Sequence, residues 1–162
     1  MTKASGVLQR EMVQADGHPV RDADLTSFVG YNMKRALTLI QADLTQVLAD
    51  YDLRIISFSV LTIVVRHPGI NQTQLAEGLK LERSNLVQII DELSNRTLLR
   101  RAQIEGNRRS FALVPLPAGR RLWEEANSAV NTHEARVLSM LSAEERETLN
   151  GILRKIRDAW SS

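Results

Sequence analysis

Arg83, Ser84, Asn85, Val87 and Gln88 stand together in ERSNLVQIIDEL, and each carries a side chain suited to reading the edge of a base pair. Asn85 and Gln88 can each make a bidentate bond to adenine, Arg83 can make one to guanine, and Val87 can rest on a thymine methyl group. A good bidentate pair discriminates by about 1–3 kcal/mol. Interleaved with them, Leu86, Ile89, Ile90 and Leu93 recur at i, i+3, i+4 and i+7, the spacing of one buried helical face. The opposite face, which also holds Asp91, is short and hydrogen-bonding rather than the Lys/Glu mixture of a merely solvated surface. By its period alone the segment is equally an ordinary surface helix packed on a core.

The flanking segments narrow the choice. Before it, NQTQLAEGLKL places Leu75, Ala76 and Leu79 at helical spacing, with Gly78, Lys80 and Leu81 where a tight turn between two helices would fall. That is the order of a helix-turn-helix, whose second helix presents its N-terminal residues to the major groove. After it, from Leu99 to Val114, the helical period stops, and LRRAQI and SFALV read as two short strands around a Gly106–Asn107 turn. Between Arg96 and Arg121 there are seven arginines (Arg96, Arg100, Arg101, Arg108, Arg109, Arg120, Arg121) and one acid, Glu105. A hairpin carrying Asn107, Arg108 and Arg109 makes a wing that can lay arginine into a narrow minor groove, where the potential is most negative. The alternative is a solvated edge hairpin whose charges prevent aggregation.

Catalysis finds no comparable cluster. His18, His67 and His133 have no second histidine or cysteine at metal-ligand spacing, and His133-Glu134 lacks the histidine four residues on that a zinc-protease helix needs. A phosphate-cradling glycine loop and a serine nucleophile elbow are both missing. The expectation is therefore no enzyme, no catalytic residue, no metal and no cofactor, with zinc sensing through His133 and Glu134 a minor alternative. The chain has no cysteine, which removes disulfides, thiolate metal sites and cysteine nucleophiles together.

The elements that must hold these residues are mostly helical. The 162 residues amount to one domain's worth of chain, 43% hydrophobic and 25% charged, as in ordinary globular proteins. Net charge is only +2, so the arginine cluster rather than the total points to nucleic acid. No apolar leader opens the chain, and the longest apolar run, Ile55 to Val65, is too short to span a bilayer. A soluble, cytoplasmic protein is expected, without membrane contact. Residues 1–22 read as a flexible arm. From Leu25 to Asp50 runs a long helix, capped by Asp24 or Thr26, with Val29, Met33, Ala36, Leu37, Ile40, Leu44, Val47 and Leu48 on one stripe. Gly30 within it suggests a close helix contact. A second helix over Ser57 to Arg66 is apolar on most sides, and Pro68 stops it. Pro117 opens a further long helix to about Leu141, and Ser142 with Glu145 forms a capping box for the last, where Leu149, Ile152, Leu153, Ile156 and Trp160 align.

A small winged-helix core cannot cover all of these stripes. The simplest cover is a second copy, which would set two reading helices about one DNA turn apart on a pseudo-palindrome; a monomer with a longer bundle is the alternative. The expected fold is mainly α: a winged helix-turn-helix core over 53–116 with a two-stranded β-wing, flanked by long N- and C-terminal dimerisation helices over 23–52 and 117–162.

HPGINQTQLAEGL, ERSNLVQIIDEL, NRRSFAL, PAGRRL and LSAEE together resemble the MarR family of transcription regulators, over about Ser27 to Ser161. Two departures stand out: Asn107 where the family's wing has aspartate, and Leu116 where a threonine often precedes the next helix. The resemblance implies a homodimeric, sequence-specific regulator of double-stranded DNA, acting as a repressor that a small-molecule effector releases. Family members commonly take aromatic acids between their dimerisation helices and the winged-helix core. The matching wall here is Tyr31, Asn32, Arg35, Arg54, Ser57, Phe58 and Ser59, with the arginines for a carboxylate, Phe58 for a ring and the hydroxyls for orientation. The RSFAL wing and YNxKRA helix resemble regulators of aromatic catabolism, which implies a hydroxycinnamate-like acid or its CoA thioester. Lack of cysteine excludes the family's peroxide-sensing switch. The alternative function is a winged-helix protein-interaction module whose basic wing meets an acidic protein without direct DNA binding.

Overall fold

The computed structural model describes residues 25–104 and 107–159, with the backbone alone at 104 and 107–110. The order is α1 (Val29–Ala49), α2 (Ile55–Arg66), α3 (Gln72–Leu79), α4 (Arg83–Asn95), β1 (Leu99–Ile104), β2 (Asn107–Pro115), α5 (Pro117–Val137) and α6 (Ala143–Ala159). The expected arm, the Asp24 cap, Glu105, Gly106 and Trp160 lie outside the described residues. The chain divides into two units within α1, between Leu39 and Ile40.

In the first unit, residues 25–27 form a turn, and the helix begins at Val29 rather than Leu25. Asn32 explains the late start: its side-chain amide donates to the Thr26 carbonyl at 2.8 Å, holding that carbonyl outside the helical ladder. The apolar stripe is there, but Phe28, Val29, Met33, Leu37 and Leu39 are exposed. Among the described residues of one subunit, a Cβ built at Gly30 would meet nothing within 4 Å, so the close contact expected there does not form within the chain's described part.

The second unit holds the core. Leu48, Val60, Leu61, Val64, Leu75, Ile90, Leu93 and Leu113 are completely buried. Apolar on nearly every side, α2 runs through the middle and packs on α3, α4, α5 and β2. It stops at Arg66, with the His67 N–H returning to the Ile63 carbonyl at 2.8 Å ahead of Pro68. Gly69 then takes φ +97, a left-handed turn that favours glycine. This aims residues 69–71 along β2: the Gly69 N–H donates to the Leu113 carbonyl at 2.9 Å, the Leu113 N–H to the Ile70 carbonyl at 2.9 Å, and Asn71 bridges to Ala112.

That bridge fixes where α3 starts. Asn71 accepts from the Gln74 N–H at 2.9 Å while Gln74 accepts from the Asn71 N–H at 3.1 Å, a reciprocal cap that satisfies two otherwise unpaired donors. The exit from α3 differs from expectation. Gly78 lies inside the helix, and the left-handed residue is Lys80, at φ 52. A glycine in an exposed helix costs only about 1 kcal/mol, so it need not mark the end.

In α4, Leu86, Ile89, Ile90 and Leu93 are buried, as their spacing requires. Strands β1 and β2 pair antiparallel from Leu99↔Pro115 to Gln103↔Phe111, and the register then shifts so that Ile104 faces Asn107. Asn107 therefore belongs to β2 rather than to a turn. At α5, Leu116 offers no side-chain cap and Pro117 takes the first turn. Gly119 is required there: a Cβ would lie 1.9 Å from the Leu98 carbonyl oxygen, already occupied by the Leu116 N–H at 2.9 Å. The helix ends at Val137, short of Leu141, because residues 138–141 turn to bring Ser142 and Glu145 into the expected capping box. No residue of α6 is buried.

Candidate nucleic-acid interface

Burial of four residues on one side of α4 leaves Arg83, Ser84, Asn85, Val87, Gln88 and Asp91 exposed on the other. The five sequence-selected readers thus share one face at the helix's N-terminal end. Arg83 is held by its neighbour helix, its Nη2 donating to Thr73 Oγ1 at 3.2 Å. A guanidinium has five donors in a fixed fork, so one bond to Thr73 orients the group and leaves others for a ligand. Beside this pair opens a cavity of about 270 Å³, bounded by Asn71, Gln72 and Thr73 of the α3 entry, by Arg83, Leu86 and Val87, and by Phe111 of β2.

The arginine cluster divides in two. Arg100, Arg120 and Arg121 are exposed. Arg96 and Arg101 are engaged within the fold, which charge counting missed because their partners are not sequence neighbours. Arg96 donates to the backbone carbonyls of Tyr51 and Asp52 and lies 3.6 Å from the Asp52 carboxylate, tying the end of α4 to the α1–α2 loop. Arg101 pairs with Asp91 at 2.7 Å, joining β1 to α4. Asn107, Arg108 and Arg109 occupy the first positions of β2, and their side chains lie outside the described residues.

The residues expected to meet an effector fall in both units. In the first, the Arg35 guanidinium donates to the Tyr31 hydroxyl at 3.1 Å and lies 5.8 Å from that ring's centroid, while Asn32 holds the Thr26 carbonyl. In the second, Arg54 pairs with Glu92 of α4. Ser57 is completely buried, and its Oγ finds no partner among the described residues. Phe58 is half-buried against the core, and the Ser59 hydroxyl donates to the Ile55 carbonyl at 2.9 Å.

His133 is 4% exposed on α5, its Nε2 3.0 Å from Asp43 Oδ2 without the alignment of a hydrogen bond. Asp43 also pairs with Arg136, so the buried histidine lies beside a partly exposed ion pair, and Glu134 is exposed. Among the described residues no group of three or more His, Cys, Asp or Glu could hold a metal ion, and no helix is long and apolar enough to cross a membrane. Sequence reasoning missed Thr73 and Phe111. Thr73 gives no signal beyond a hydroxyl in NQTQ. Phe111 shares the strand period of Leu113 and so reads as core.

Residues 54–111 match the model of the MarR family. A protein of Thauera aromatica assigned to transcriptional regulation of the hcr operon is 27% identical over 99 residues, 61% of this chain and 60% of that one, so the match spans under two thirds of that relative. Among solved structures, the transcriptional repressor CouR bound to a 23-mer DNA duplex is 32% identical, with a TM-score of 0.81 over 85% of this chain and 98% of that one. CouR bound to p-coumaroyl-CoA is 30% identical, with a TM-score of 0.76 over 85% and 97%.

Proposed function

The chain belongs to the MarR family, and from that premise we propose that it is a homodimeric, sequence-specific DNA-binding repressor, released from its operator by a small aromatic acid or its CoA thioester. The observation that carries this reading is the face of α4, where every group able to read bases is exposed while the apolar residues between them are buried. Arg83 and Val87 at its start, with Asn85 and Gln88, enter the major groove, and Arg108 and Arg109 of the wing follow the flanking backbone or minor groove. The site is a double-stranded pseudo-palindrome, and the protein works in the cytoplasm, where that DNA is.

Dimerisation rests on the exposed apolar stripes. Val29, Met33 and Leu37 on α1, and Leu149, Ile152, Leu153 and Ile156 on α6, expose more apolar surface than an isolated subunit would leave wet. In this reading 23–52 and 117–162 form the dimerisation region, 53–116 reads DNA, and 1–22 is an arm.

Similarity to CouR, whose structure holds p-coumaroyl-CoA, favours the CoA thioester as effector. Arg54, Ser57, Phe58 and Ser59 form one group of residues to test, and Tyr31, Asn32 and Arg35 another. The effector acts by binding more tightly to the dimer whose reading helices are wrongly spaced, shifting population by its differential affinity. Coupling of about 1–3 kcal/mol would change DNA occupancy roughly 5–150-fold. The test is binding to duplexes selected from a random pool, with p-coumaroyl-CoA and free aromatic acids then added. Retention of a selected duplex, a steep fall of affinity with salt from counterion release, and release by a thioester or acid are expected. Failure to retain any duplex at low ionic strength would overturn the DNA reading; retention with no release by any compound would overturn only the effector.

A further inference from the structure

Between Tyr51 and Val137, the large hydrophobic residues of the described chain that stand exposed are Val87, at 39%, and Phe111, at 44%. They belong to different elements, α4 and β2, yet both line the cavity that opens beside Arg83 and Thr73. Phe111 shares its strand face with Leu113, which is completely buried, and its partner across the hairpin is Gln103. The residue next to it, Ala112, is bridged to Asn71 at the entry of α3, so the strand is fixed against the helix-turn-helix on the side where the ring emerges. Exposed Val87 and Phe111, buried Leu86 and the tethered Arg83 guanidinium thus border one recess, together with the polar residues at the entry of α3.

We propose, resting on the DNA-binding reading above, that Phe111 is a specificity-determining contact: with Val87 it forms a slot that receives the C5-methyl group of a thymine. The charge complementarity is local. Arg83, which lines the same recess, pairs with the phosphate or guanine edge next to that thymine, while Thr73 holds the guanidinium in place. Aromatic and aliphatic side chains recognise the thymine methyl, the one apolar group on the major-groove edge of the base pairs. Removing that methyl should cost about fourfold in affinity, the factor that corresponds to ~0.8 kcal/mol per buried carbon.

The experiment uses the full chain and a duplex that the wild type selects from a random pool. Each thymine is replaced in turn by deoxyuridine, which deletes the methyl and nothing else. For the wild type, one thymine per half-site is expected to lose about fourfold on this change. Phe111→Ala should bind the thymine duplex more weakly and treat thymine and uracil alike at that position, and Phe111→Leu should keep part of the preference. The ratio of the two affinities guards against damage to the fold, since a loosened strand weakens both duplexes equally. A wild type indifferent to every thymine methyl, or a Phe111→Ala chain that keeps the wild-type ratio, overturns the proposal and leaves Phe111 as the rim of the core. A wild type that selects no duplex overturns the DNA-binding reading itself, and the slot with it.

Discussion

Helices α4 and α6 carry the same apolar arithmetic with opposite results. Leu86, Ile89, Ile90 and Leu93 in the first and Leu149, Ile152, Leu153 and Ile156 in the second stand at i, i+3, i+4 and i+7. In α4 these residues are at most 5% exposed, covered by α2, α3 and β1; in α6 they are 38–49% exposed. A helical period establishes that a face exists and must be covered. It does not say whether the cover comes from the same chain. On the proposed reading, α4 spends its apolar face on the subunit and frees its polar face for DNA, while α6 keeps its apolar face for a second copy.

The same substitution made on each of the two stripes tests this contrast most strongly. Leu93→Ala should cost about 2–5 kcal/mol of subunit stability in chemical denaturation, because it empties a filled core position. Leu153→Ala, the same chemical change on the corresponding stripe of α6, should leave the subunit folded and instead raise the dimer dissociation constant, read by sedimentation. A concentration-independent loss at Leu153 equal to that at Leu93 would break the contrast.

Two glycines sharpen it within the second unit. Gly119→Ala forces a methyl onto the Leu98 carbonyl and should cost about 1–3 kcal/mol or more. Gly78→Ala meets nothing and should gain about 0.5–1 kcal/mol, as an exposed helical position does. Thermal melts that moved in the same direction for both would contradict the packing described. On the polar face, Asn85→Ala should leave the melting temperature unchanged and cost about 1–3 kcal/mol at a single base position. An unaltered base preference would remove Asn85 from the reading set. An effect as small as that at Gly78 is expected at Thr97, a β-branched residue held at φ 58 between α4 and β1. Thr97→Gly should raise stability by about 1 kcal/mol by relieving the left-handed strain.

What could be read from the residues was what depends on short range. The core face of α4, the Pro117 entry of α5 and the Ser142–Glu145 cap each follow from residues within a turn or two of one another. What could not be read depends on distant partners or on small energies. Arg96 and Arg101 counted toward the basic cluster, yet Arg96 is engaged by a loop 44 residues away and Arg101 by Asp91 across the α4–β1 junction. Lys80 rather than Gly78 takes the left-handed exit of α3, a choice worth only about 1 kcal/mol. Phe111 has the period of a core residue and sits at the core's edge, a distinction that only the packing of α3 and α4 beside it can make.

The central claim is that two copies of this chain bind one duplex through the exposed faces of their α4 helices, and sedimentation of a labelled, selected duplex with the protein over a salt series tests it most directly. The account predicts two chains per duplex, with the logarithm of the affinity falling linearly against the logarithm of salt concentration. A single chain per duplex, or no complex even at low ionic strength, would contradict it.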